Sequence, residues 1–417
     1  MKSAAATLDG NLESGWWAKR QQQMLTKVLA PLSKASQGVL SLNLPNGSCV
    51  EFGEHPCERL NPVVTLHNWQ AVRKAFTGGS VGWSEAYMDG DWDSPNLAML
   101  VEWVTVNESD FGGMLDSGKF EGAIQKWRHR LNANSKRGSR RNISYHYDLG
   151  NAFYQHWLDP SMTYSAAYYS DEDQSLGEAQ YAKYQRLIDL LELKDGDRIL
   201  EVGCGWGGFA EQLCQQKAVE LHGITLSERQ LEYAQQRLDK LTSQGECKGK
   251  AEFSLTDYRD TQGQYDHIVS IEMLEAVGEK YWPTYFATLY QRLKPGGRAA
   301  IQIITIEEAR FAEYSRNPDF IQTYIFPGGM LPSPERFRAE AQIAGLAVKD
   351  EEAFGLGYAK TLHEWTKNFH QQWAGIAPLG FDQRFKRMWD YYLGYCEGGF
   401  RGKSIDVYQF VLEKPLK

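Results

Sequence analysis

The stretch Ile199-Leu200-Glu201-Val202-Gly203-Cys204-Gly205-Trp206-Gly207-Gly208 constrains what this chain can fold into more than any other. A short apolar run with the look of a strand leads into a glycine-rich turn, and a helix-like segment follows. Glycines at such a turn let the backbone bend sharply and lie against a ligand with no Cβ between them. A loop of this kind at the carboxyl end of a first parallel strand is where an open α/β sheet binds a nucleotide-like cofactor. The spacing is Gly-x-Gly-x-Gly, one residue shorter than the dinucleotide fingerprint, and no Lys-Ser or Lys-Thr follows as a phosphate loop requires. A cofactor without a pyrophosphate fits better, and S-adenosylmethionine is the one expected.

The residues beyond Ile143 alternate between strand and helix patterns, as in a wound α/β domain. Predicted strands run over 198–202, 219–224, 251–255, 266–271 and 298–304, with helices over 209–216 and 227–241 and another beyond Glu279. Two late strands, 347–354 and 406–412, are expected to form an antiparallel hairpin at the sheet edge. A dinucleotide fold would carry an acid at the end of the second strand. Here that strand ends His222-Gly223-Ile224-Thr225-Leu226-Ser227, so the ribose hydroxyls fall to Thr225, Ser227 or Gln230, although helix capping alone also accounts for Ser227. Asp257 and Tyr258 follow the third strand, where a carboxylate and a ring can read an adenine and where a solvated turn is equally at home.

A chain of 417 residues exceeds what one core usually holds, since cores seldom grow past ~250 to 300 residues. The expected division is an amino-terminal helical arm over 1–37, with an apolar stripe through Trp16, Trp17, Met24, Leu25, Val28 and Leu32; a small α+β domain over 38–120; a linker over 121–142; and the wound domain over 143–417. The run Gly79 to Gly90 reads as turns and aromatics. A net charge of −8 argues against a nucleic-acid partner, which calls for a basic domain. The exception is the linker, where Lys126, Arg128, Arg130, Lys136, Arg137, Arg140 and Arg141 meet no acid between Glu121 and Asp148. That is either a solvated connection or a patch for anionic lipid, where each cation contributes ~1 kcal/mol. The cysteines show no Cys-x-x-Cys pair and no His spacing suited to zinc. The start of the chain has no apolar signal core, and no run approaches the ~20 apolar residues of a membrane span. The expectation is a protein of the reducing cytoplasm, at most peripheral at the inner membrane face. Apolar residues in the arm make a homodimer plausible.

Several strings together resemble the cyclopropane fatty acid synthase family, which includes the mycolic acid methyltransferases. They are Tyr145-His146-Tyr147-Asp148-Leu149-Gly150-Asn151, Leu158-Asp159-Pro160-Ser161-Met162-Thr163-Tyr164-Ser165, the glycine loop, Gly223 to Ser227 with Gln230, Asp257-Tyr258-Arg259-Asp260, Tyr324-Ile325-Phe326-Pro327-Gly328-Gly329, and Tyr391-Tyr392-Leu393 leading to Cys396. The resemblance spans roughly residues 70 to 415. It implies a seven-stranded methyltransferase sheet beside the small α+β domain, and an enzyme that moves a methyl group from S-adenosylmethionine to the double bond of an unsaturated phospholipid acyl chain, giving a cyclopropane. The residues it assigns to the cofactor are Tyr164, Ser165, Glu201, Gly203, Cys204, Gly205, Gly207, Thr225, Ser227, Gln230 and Tyr258, and Asp257 joins them from its place after the third strand. It further implies a bound bicarbonate as base, near Cys204, Glu275, Tyr358, Ile304 and Gln302. Cyclopropane-forming members usually read Glu-His-Val-Gly where this chain has Glu275-Ala276-Val277-Gly278, and carry a His where Gln302 stands. Gln donates a hydrogen bond but exchanges no proton near neutral pH, so a hydride shift to a methylene or methyl branch competes with ring closure. Cys396 matches the family's active-site cysteine. Its helical face, with Phe385, Met388, Trp389, Tyr392 and Leu393, instead suggests a small buried hydrophobe. A methyltransferase for a small soluble acceptor and a non-catalytic lipid-binding protein are the alternatives.

Overall fold

The computed structural model describes residues 29–55, 58–111 and 149–416, in two compact units. The expected arm up to residue 28 and the basic linker lie outside the described residues.

One unit takes the residues up to Gly122 together with Gln383–Gly402. Its strands β1 (Leu40–Asn43), β2 (Cys49–Phe52), β3 (Val63–Leu66) and β4 (Trp92–Asp93) form a sheet in the order β2-β1-β3-β4. Helix α1 (Gln70–Met88) continues through the run that reads as turns in the sequence, and Gly79 (φ 54°, ψ −137°) breaks it midway. Helix α2 (Leu97–Val106) packs against helix Gln383–Arg401 through Gly394, Gly398 and Gly402, whose added Cβ atoms would lie 2.5–2.6 Å from Leu97, Val101 and Thr105. The sequence division assigned that helix to the wound domain; the structure groups it with the first unit.

The second unit holds a seven-stranded sheet in the order β10-β11-β9-β8-β5-β6-β7. Its strands are β5 (Arg198–Val202), β6 (Glu220–Thr225), β7 (Lys250–Leu255), β8 (Tyr265–Ile271), β9 (Leu293–Ile306), β10 (Ala347–Ala353) and β11 (Ile405–Glu413). The helices used below are α3 (Leu176–Leu190), α4 (Gly208–Gln216), α5 (Glu228–Ser243), α6 (Trp282–Arg292), α7 (Pro334–Ile343) and α8 (Gly355–Ile376). Successive strand residues point to opposite faces, and the two cores follow that rule. Leu200, Ile268 and Ile301 join Phe286, Phe337 and Phe410 on one face; Ile199, Val269 and Ala300 join Leu187, Phe209 and Leu213 on the other. Strand β5 pairs in parallel with β6 on one side and β8 on the other. Chain order reverses at β5, so the loops after β5 and β8 diverge and leave a crevice at the carboxyl ends of the strands.

Two expected details change. The strand expected from residue 298 already begins at Leu293, with Pro295-Gly296-Gly297 bulging within it, since Leu293 pairs with Tyr265 and Arg298 with His267. Strands β10 and β11 do pair antiparallel, but α8 and helix Gln383–Arg401 lie between them in the chain, so they are not a hairpin. Among the described residues, no helix is long and apolar enough to cross a membrane.

Candidate active site

A cleft of about 150 Å³, partly open to solvent, lies at the carboxyl ends of β5, β6 and β8. Of the expected cofactor residues, Tyr164, Ser165, Glu201, Gly203, Cys204, Gly205, Thr225, Gln230 and Tyr258 line it. Gly205 has φ 51°, and a Cβ built there would meet nothing within 4 Å, so a side chain would enter the cleft itself. Gly207 does something else: its Cβ would stand 3.0 Å from Ala234 Cβ, and it allows α4 to start close against α5. Ser227 caps α5, its Oγ accepting from the Gln230 N–H at 3.3 Å. The Asp257 carboxylate is held by the Arg259 side chain at 2.6 and 2.7 Å. Gly207, Ser227 and Asp257 therefore shape the cleft without lining it.

The remaining lining groups fit the expected cofactor. Glu201 lies next to the end of β5, and its Oε2 is buried without a hydrogen-bond partner, as is the Tyr258 hydroxyl. Burial pushes the Glu201 carboxyl up to about 8, against the pull of Lys183, so a cationic group arriving beside it would find an unused acceptor. Thr225 donates to Gln230 Oε1 at 2.8 Å, a pair able to meet ribose hydroxyls. Tyr164 is fixed in a ring cluster with Tyr154, Trp157 and Trp365. Ser165 is stitched to α3, where Gln180 donates to its carbonyl at 2.9 Å and Lys183 to its hydroxyl at 2.7 Å. Lys183 is fully buried. Burial pulls its ammonium down to about 7, while Glu272, Asp159 and Glu201 favour the charged form.

Glu272, which follows β8 at φ 51°, was not singled out in the sequence and lines the cleft. Its Oε1 accepts from the Ala166 N–H and the Gln302 amide, both at 2.8 Å, and its Oε2 accepts from the Tyr358 hydroxyl at 2.8 Å. Burial raises its carboxyl, and these donors together with Lys183 oppose the rise. A bulky residue at positive φ is rare and costs strain. Its signal in the sequence is an acid directly after an apolar strand whose end faces the glycine loop.

The expected base site is thereby rearranged. Glu275 Oε1 accepts from the Ile304 N–H at 2.6 Å; its Oε2 is buried with no hydrogen-bond partner, and burial followed by the nearby Glu272 pushes the group up to about 8. Glu275 is not among the residues lining the cleft, whereas Ala276 is. Cys204 is buried, and burial holds its thiol well above the usual range. Tyr358 and Gln302 are spent on Glu272, and the Ile304 N–H on Glu275. These residues do not fit a separate bicarbonate at that place. Cys396 sits half-buried on helix Gln383–Arg401 of the first unit.

Comparison with known proteins identifies the family. Residues 134–410 match the mycolic acid cyclopropane synthetase family. The chain is 36% identical over 374 residues to the tuberculostearic acid methyltransferase of Mycobacterium tuberculosis, covering 84% of this chain and 83% of that one. It is 35% identical over 363 residues to the cyclopropane-fatty-acyl-phospholipid synthase of Escherichia coli, covering 85% and 88%. Among solved structures, mycolic acid cyclopropane synthase CmaA1 complexed with SAH and CTAB superposes with a TM-score of 0.61 at 31% identity, over 66% of this chain and 98% of that one. The chain therefore belongs to the mycolic acid cyclopropane synthetase family of S-adenosylmethionine-dependent methyltransferases.

Proposed function

We propose that the enzyme methylates the double bond of an unsaturated fatty acyl chain in a phospholipid, and that Glu272 takes the proton released as the resulting cation closes to a cyclopropane. The observation that carries this reading is the convergence of the Ala166 N–H, the Gln302 amide and the Tyr358 hydroxyl on one carboxylate in the cleft wall. The substrate class comes from the relatives named as acting on fatty acyl phospholipid and on fatty acids.

An isolated alkene is a poor nucleophile, so it must be held in line with the methyl carbon, and water must be kept from the cation. Orientation of this sort supplies ~7 to 11 kcal/mol of a barrier. S-Adenosylmethionine, when bound, supplies the electrophilic methyl carbon. In this reading Glu201 meets its ammonium, Thr225 and Gln230 its ribose, and Tyr258 its adenine end. The alkene π pair forms the new bond to the methyl carbon as sulfur keeps the old pair, and positive charge develops on the neighbouring alkene carbon. A C–H pair of the transferred methyl then closes the ring, and its proton passes to a Glu272 oxygen and onward to solvent. A carboxylate whose proton affinity has been raised by burial suits that transfer near neutral pH.

A second reading is favoured by Ala276 and Gln302 in place of imidazoles. There a hydride shift precedes proton loss and the product carries a methylene branch. Proton NMR of the lipid separates a cyclopropane CH2 from a vinylidene CH2.

The test is incubation with labelled S-adenosylmethionine and unsaturated phospholipid vesicles in buffer stripped of bicarbonate. Wild type should label the lipid, and Glu272→Gln should lose most of the rate while still binding S-adenosylhomocysteine. In Glu272→Gly the three donors are released, and added formate or bicarbonate should restore activity. No transfer to lipid by folded wild type removes the substrate reading; full activity in Glu272→Gln removes the base.

A further inference from the structure

Two buried glutamines connect Glu272 to a cation farther along the same face of the sheet. Glu352 of β10, Gln409 of β11 and Gln302 of β9 are successive register partners, and Gln302 is the partner of Ile271, the residue before Glu272. They occupy one row across the sheet. Arg186 of α3 donates to Gln409 Oε1 at 2.6 Å, Gln409 Nε2 to Gln302 Oε1 at 2.9 Å, and Gln302 Nε2 to Glu272 Oε1 at 2.8 Å and the Ala166 carbonyl at 3.3 Å. Gln302 is 0% and Gln409 1% exposed, so water cannot substitute for a lost partner.

An amide can be turned end for end with little change of shape, and an isolated Gln pair would have no preferred direction. Here the ends are chemically unequal. A guanidinium only donates and an ionised carboxylate only accepts, so one polarity satisfies every link. Reversing it would set the Gln302 carbonyl against both the Glu272 carboxylate and the Ala166 carbonyl.

We propose that Arg186 and Gln409 are positioning residues that fix the direction of the Gln302 amide, so that its N–H groups face Glu272 and hold that carboxylate ready to accept a proton. The proposal rests on Glu272 being the base. Arg186 is itself anchored by Glu352 and lies 3.8 Å from Asp350, with the Tyr168 ring alongside. The charged and titratable groups facing Glu272 from its other neighbours are Lys183 on α3, Tyr358 on α8 and Glu275 beyond β8. All of these stay in place in the variants below.

The discriminating substitution is Gln409→Glu. A carboxylate there accepts from Arg186 and also from Gln302, which must turn over and present its oxygen to Glu272. Glu272 then favours its protonated form, which can donate to that oxygen. Two readouts follow pH: the side-chain amide NMR signals of Gln302, which sense Glu272 titration without catalysis, and the acid limb of kcat. Both midpoints should rise by at least one pH unit, equivalent to about a tenfold lower rate on the acid side. Arg186→Met should move them the same way by less, and Arg186→Lys, still only a donor, should keep the wild-type values. An unmoved Gln302 titration in Gln409→Glu that melts cooperatively overturns the relay. Should that variant not fold, identical titrations in Arg186→Met and Arg186→Lys overturn it. A titration that moves while the acid limb of kcat does not leaves the relay standing and removes Glu272 as the base.

Discussion

Gly205 and Glu275 show how far a single residue's role depends on what its side chain, real or added, would touch. At Gly205 the backbone is left-handed and the space beyond it is the cleft. Valine there meets the ~1–2 kcal/mol penalty of that conformation for an L residue and fills ligand space as well. Gly205→Val should weaken S-adenosylhomocysteine binding by more than about a hundredfold in calorimetry; unchanged affinity would move the cofactor elsewhere. Glu275 is a different case, because one oxygen is committed to the Ile304 N–H and the group does not line the cleft. Its folded-state pKa is raised to about 8, above the unfolded value of ~4.3. The folded protein therefore holds a proton that the unfolded chain releases between those values, and stability falls as pH rises through that window. Glu275→Gln keeps a neutral group at every pH. Its melting temperature should gain on wild type progressively from acid pH to pH above 8, and a difference independent of pH would show that Glu275 does not titrate in this way.

At the scale of elements, the wound sheet was legible because its strands are apolar runs closed by glycine or capping residues. Ser227, for example, caps α5 as its position suggests. The run from Gly79 to Gly90 misled because glycine and aromatics weigh against helix locally, while tertiary burial of Ala86, Tyr87 and Met88 holds the second half of α1 in place. Gln409 was invisible for a related reason, and Glu272 showed only as an acid after an apolar strand, with nothing to name its partners. A polar residue at a strand end or in a buried row gains meaning only once the register sets its neighbours. The glycine row 394, 398 and 402 is another feature that needs its partner to be read. An added Cβ at Gly398 would lie 2.5 Å from Val101 Cβ and 2.6 Å from the Ala98 carbonyl. Gly398→Ala should cost ~1–3 kcal/mol by overpacking, seen as a lower melting temperature. Gly78→Ala on α1, where nothing lies within 4 Å, should be neutral or slightly stabilising. Equal melting of the two variants would mean that α2 and helix Gln383–Arg401 do not approach as closely as described.

For the whole molecule, the sequence places the boundary between units at a linker and treats everything beyond it as one domain. No local pattern reveals that a helix near the end of the chain belongs to the amino-terminal unit, since that depends on contacts made across hundreds of residues. Helix Gln383–Arg401 buries Trp389, Tyr391, Tyr392 and Phe400, and Arg387 reaches the Trp92 carbonyl at 2.8 Å and Asp93 at 2.6 Å. The Tyr391 ring lies 5.5 Å from that of Tyr87. Residues 149–417 produced alone would carry the glycine loop, Glu272 and the whole seven-stranded sheet, yet would leave this helix without α1, α2 and β4. A face bearing several large rings favours association once exposed. The fragment should aggregate or bind a hydrophobic dye, and co-production of residues 1–122 should restore a soluble complex with one cooperative melt. A soluble fragment that melts cooperatively and binds S-adenosylhomocysteine as tightly as the full chain would show that the helix does not depend on the first unit, and that the covalent boundary read from the sequence is also the boundary of folding.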